Sequence, residues 1–64
     1  MRSNIIDIDV EVSARTEKAV LVHDGDPSAA VWLPLSQIEI RPTGIGGIET
    51  VTLPEWLAIE KGLV

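Results

Sequence analysis

The stretch Ile6-Asp7-Ile8-Asp9-Val10-Glu11-Val12 decides the fold. Aliphatic side chains alternate with carboxylates, so an extended backbone places Ile6, Ile8, Val10 and Val12 on one face and Asp7, Asp9 and Glu11 on the other. A helix would scatter both sets around its circumference and bury charge among the aliphatics. The segment therefore reads as a strand with one face against a core and one face in water.

Working outward, residues 13–17 are polar and short, as a hairpin connection is, and residues 18–23 contain Ala19-Val20-Leu21-Val22, apolar on both faces. This second strand is expected in the interior of the sheet. Residues 24–28, Asp-Gly-Asp-Pro-Ser, form a turn, because glycine permits positive φ and the Asp side chains can bond nearby amides. A third strand over residues 29–33 stops at Pro34, which has no amide hydrogen for a ladder. Leu35 and Ser36 then form a bend or one 3₁₀ turn. A fourth strand over residues 37–41 sets Ile38 and Ile40 on one side and Glu39 on the other, and residues 42–47 make a loop. The fifth strand, residues 48–53, has Thr50, Val51 and Thr52, β-branched residues that suit a pleated surface.

The last element is a helix over residues 54–61. Thr52 precedes Glu55 by three positions as in a capping box, Pro54 falls in the first turn, Lys61 complements the dipole at the carboxyl end and Gly62 closes it. Leu53, Trp56, Leu57 and Leu63 are expected to lay one apolar stripe on the sheet. The chain thus reads as one mainly β domain over residues 1–64. The expected architecture is a five-stranded antiparallel bent sheet or a partly open SH3-like or OB-like barrel with a C-terminal helix, the alternative being an α+β sheet with one packed helix.

With 64 residues the chain buries only ~60% of the surface that its unfolded form exposes, so the core is small. It has no cysteine, one histidine and no Phe or Tyr. Disulfide, thiolate and redox chemistry are excluded, and aliphatic side chains must fill the core, with Trp32 and Trp56 expected in it unless one serves as an exposed anchor for a partner. Ten carboxylates against five Lys plus Arg give a net charge of −5. Arg2, Arg15, Lys18, Arg41 and Lys61 form no run, so direct nucleic-acid binding is disfavoured and a basic protein surface is the better partner. No stretch approaches the ~20 apolar residues that span a bilayer and no signal-peptide pattern opens the chain, so no membrane role and a cytoplasmic location are expected.

The segments Lys18-Ala-Val-Leu-Val22, Val31-Trp-Leu-Pro-Leu-Ser-Gln-Ile38, Leu53-Pro-Glu-Trp-Leu-Ala58 and Lys61-Gly-Leu63 together resemble a pattern of small proteins of phages and prophages. The resemblance covers most of the chain, and Leu35 stands where that pattern has lysine. It implies a mobile-element origin. Small acidic phage proteins of similar size include anti-CRISPR inhibitors, some of which set carboxylates where DNA phosphates would lie, and this assigns no roles to individual residues here.

Asp7, Asp9 and Glu11 project from one face at intervals of roughly 7 Å, close to the spacing of phosphates along a DNA strand. Such a row is either a phosphate-like docking edge or a solvated face whose charge keeps a sheet edge from pairing. Acid/base hydrolysis is disfavoured, because paired catalytic carboxylates face one another across a cleft. Asp24, Gly25 and Asp26 lack the further oxygens that calcium requires, His23 has no second histidine, cysteine or serine-acid arrangement beside it, and Gly44-Ile45-Gly46-Gly47 lacks the Lys-Ser/Thr ending of a phosphate loop. His23 is expected at a strand end and Ile45 in an exposed loop where it can touch a partner. No catalytic group, metal site or cofactor is expected.

The candidate partner-binding residues are Asp7, Asp9, Glu11, Asp24, Asp26 and Glu39. They fit a non-enzymatic phage or prophage protein, monomeric or a weak homodimer, that binds a host protein through an acidic surface as an inhibitor of a nucleic-acid-handling complex. Two alternatives are an accessory SH3-like or OB-like module that binds nucleic acid or phage proteins, and a structural homo-oligomer built by pairing of sheet edges.

Overall fold

The computed structural model describes residues 4–64. Five antiparallel strands form one sheet: β1 (Ile5–Arg15), β2 (Ala19–His23), β3 (Val31–Pro34), β4 (Glu39–Pro42) and β5 (Ile48–Pro54), followed by helix α1 (Glu55–Glu60). The strand order is β3-β2-β1-β5-β4. The sheet is open, with β3 and β4 at its two edges, so it does not close into the SH3-like or OB-like barrel expected as one alternative. The chain reaches the far edge through the second of two 3₁₀ turns, Leu35–Gln37; the first is Pro27–Ala29.

The alternating stretch is the central strand, paired with both neighbours, so its acidic row guards no edge. Edge protection falls instead to Pro34 and Pro42, which end the two four-residue edge strands and deny the ladder an amide hydrogen. Strand β2, apolar on both faces, is interior. Residues 29 and 30 fall outside β3 because the turn after β2 continues into the first 3₁₀ turn, whose Ala30 amide bonds back to the Pro27 carbonyl. Likewise β4 starts at Glu39, after the second 3₁₀ turn has taken up Gln37.

One face of the sheet carries the core. Val10, Val20, Val22, Leu33, Val51 and Leu53 are fully buried, and α1 adds Leu57 and Ala58. The β1–β2 register shifts between Val12 and Ala14, a bulge at Ser13. This extra residue reverses the alternation. Ala14 pairs with Leu21 and Arg15 with Val20, which brings Arg15 Nη2 to 2.6 Å from Glu49 Oε2 at the rim of the core face.

The helix departs from expectation at its start and follows it at its end. Pro54 is the N-cap and, among the described residues, no side chain caps the helix; Thr52 lies two residues before the cap, within β5, where its hydroxyl donates to Asp7, so the capping box does not form. Trp56 leaves the expected stripe and remains 48% exposed, while Leu57 and Ala58 take the buried positions. At the end, the Gly62 amide donates to the Ile59 carbonyl and the Leu63 amide to the Ala58 carbonyl, with Gly62 at φ +74°. That pair of bonds is a Schellman closure, and it folds Leu63 back onto the core.

Candidate functional site

Strand register assembles the face opposite the core. In β1–β5 pairing Asp7 stands opposite Thr52, Asp9 opposite Thr50 and Glu11 opposite Ile48; in β4–β5 pairing Glu39 stands opposite Thr52 and Arg41 opposite Thr50. Directly paired residues share a face. Asp7, Asp9, Glu11 and Glu39 therefore stand together with Thr50, Thr52 and Arg41 on one surface. On the other side of β1, Glu11 pairs with His23, and Leu21 pairs with Trp32, which extends the surface to an aromatic ring that is 45% exposed.

Threonine hydroxyls hold this face in place. Thr50 Oγ1 donates to Asp9 Oδ1 at 2.6 Å, and Thr52 Oγ1 donates to Asp7 Oδ1. Arg41 Nη2 reaches both Thr52 Oγ1, at 3.1 Å, and Asp7 Oδ1, at 3.5 Å. A polarised chain of donors thus runs from guanidinium to hydroxyl to carboxylate. The contacts to the two aspartates all fall on Oδ1, so Oδ2 of Asp7 and of Asp9 has no protein partner among the described residues. Glu11 is 51% exposed, and its Oε2 lies 3.4 Å from His23 Nε2.

Asp24 and Asp26 are not on this face. They lie in the turn after β2, next to the end at which His23 pairs with Glu11. Asp26 is the N-cap of the first 3₁₀ turn, where its Oδ1 accepts from the Ser28 hydroxyl at 2.7 Å and the Ser28 amide at 3.0 Å. These bonds, the hydroxyl first, hold its carboxyl below the ordinary value of 3.8, and attraction to His23 adds to the effect. At the opposite end of the face, Ile5, Gln37, Ile38, Glu39, Thr52 and Pro54 line an open groove of about 340 Å³.

Sequence reading singled out the carboxylates and missed Thr50, Thr52 and Arg41. Their signal was present in Thr50-Val51-Thr52, a second period-two polar row that antiparallel pairing sets against Asp7 and Asp9. Ile45 is exposed at the tip of the loop between β4 and β5. Among the described residues no three metal-ligating side chains converge, and no helix is long and apolar enough to cross a membrane. No family model, curated protein or solved structure matches the chain.

Proposed function

We propose that this chain is a non-enzymatic binding protein whose acidic sheet face docks on a basic surface of a partner protein. The observation that carries the reading is the row of Asp7, Asp9 and Glu11 on the central strand, its two aspartates held by threonine hydroxyls, joined by Glu39 across β5. Carboxylates already fixed by hydroxyl donors lose little freedom on binding, and their unpartnered Oδ2 atoms are available to Lys or Arg. Trp32, half-exposed at the flank, supplies apolar contact and a face for a cation. The phage resemblance makes the partner a host protein, a nucleic-acid-handling complex in the cytoplasm that would be inhibited where it binds phosphates.

The cations argue in the same direction. Arg15 is paired with Glu49 and Arg41 with Asp7, so two of the basic groups that a nucleic acid would need are already engaged by carboxylates. The test is capture from host lysate with two baits, the parent chain and a variant in which Asp7 and Asp9 are replaced by Asn and Glu11 by Gln. A protein retained by the parent and lost from the variant supports the reading. Identical captures, or capture of nothing above a blank resin, would defeat it.

A further inference from the structure

His23 is the one buried titratable side chain among the described residues, 5% exposed, and the docking face does not need it. Its Nδ1 accepts a hydrogen bond from the Gly25 amide at 3.2 Å. A ring nitrogen that accepts carries no proton, so the neutral imidazole bears its hydrogen on Nε2, where Glu11 Oε2 stands 3.4 Å away. Protonation would place a hydrogen on Nδ1 and set two donors head to head. The Gly25 amide has to turn aside, and Gly25, at φ +121°, is a residue whose backbone can do so.

We propose that His23 is a latch that holds the turn after β2 closed while its imidazole is neutral and releases it when the ring is protonated. The charged groups facing the ring are Glu11 from β1 and Asp26 from the first 3₁₀ turn, with Asp24 next in the chain, and β3 contributes no titratable side chain. Acid therefore exchanges the Gly25 bond for a stronger attraction between His23 and Glu11. The turn that moves carries Asp24 and Asp26 beside the end of the acidic face, so the border of that face changes with pH whether or not it is a docking surface.

The chain has a single histidine, so nuclear magnetic resonance of the nitrogen-labelled protein reads the latch without overlap. The ring nitrogens and the Gly25 amide are followed from about pH 8 to pH 5, the range in which imidazoles titrate. At the upper end the proton is expected on Nε2. As the ring charges, the exchange protection of the Gly25 amide should fall by about tenfold with the same midpoint, the effect of losing one hydrogen bond. In His23→Asn the side-chain carbonyl accepts from the amide two residues on, as in an Asx turn, and does not titrate, so Gly25 should stay protected throughout. An Nδ1-protonated ring at pH 8, a ring still neutral at pH 5, or a Gly25 amide indifferent to ring protonation would each overturn the latch. So would the same loss of protection in His23→Asn.

Discussion

Thr50 Oγ1 donates to Asp9 Oδ1 at 2.6 Å across the seam between the central strand and β5. The bond makes the exposed carboxylate a fixed feature of the sheet. It also couples the two strands through side chains as well as backbone. A double-mutant cycle with Thr50→Val and Asp9→Ala, followed by urea denaturation, is expected to give a coupling energy of about 1 kcal/mol. Additive losses would mean that the contact contributes nothing to stability.

Gly62 ends the helix at φ +74°, and an added Cβ there would have no atom within 4 Å. The cost of substitution is therefore conformational, with no steric clash to relax. Gly62→Val should lower stability by more than ~1 kcal/mol, and Gly62→Asn, a residue that tolerates the left-handed region, should lose less. Equal midpoints for parent and Gly62→Val in urea would show that the Schellman closure is not formed.

Asp26 gives a pH dependence whose sign follows from its lowered carboxyl value. A depressed folded-state value means that the cap is fully present above the ordinary value of 3.8 and is lost as pH falls through the lower, folded value. The Ser28 amide should keep its bond to the Asp26 carboxylate, and hence its exchange protection, from neutral pH down to that region, even where its resonance follows the titration of His23, and lose it as the carboxyl takes its proton. Loss of Ser28 protection near neutral pH, in step with His23, would instead show that the cap opens together with the latch and does not depend on the Asp26 carboxylate.

Legibility in the sequence followed the physical range of each interaction. Alternation along residues 6–12 and the continuous apolar run of β2 are properties of consecutive residues, and both strands lie where those patterns place them. Gly62 was legible for the same reason, since the chain reversal at a helix end depends on one backbone angle. The role of Thr52 was not legible locally: the strand continues through it to Pro54, so the helix starts too late for a capping box, and its hydroxyl bonds a carboxylate 45 residues away. Trp56 was misplaced because this six-residue helix buries only two positions, and the smaller Leu57 and Ala58 fill them. The central place of β1 is a matter of strand order, which periodicity along one strand does not encode.

The acidic face itself is tested most directly by the salt dependence of binding to the captured partner, parent against the variant with Asp7→Asn, Asp9→Asn and Glu11→Gln. The amides introduced at the two aspartate positions keep an oxygen to accept from Thr52 and Thr50, so the variant should match the parent in its urea midpoint while losing three exposed charges. At low ionic strength the variant should bind at least about tenfold more weakly, because charge complementarity sets the association rate and part of the affinity. The gap should narrow as salt rises, since exposed charges are screened over ~8 Å at physiological ionic strength. A variant that folds like the parent and binds the partner as tightly at low salt would contradict the account and leave the row as a solvated sheet face.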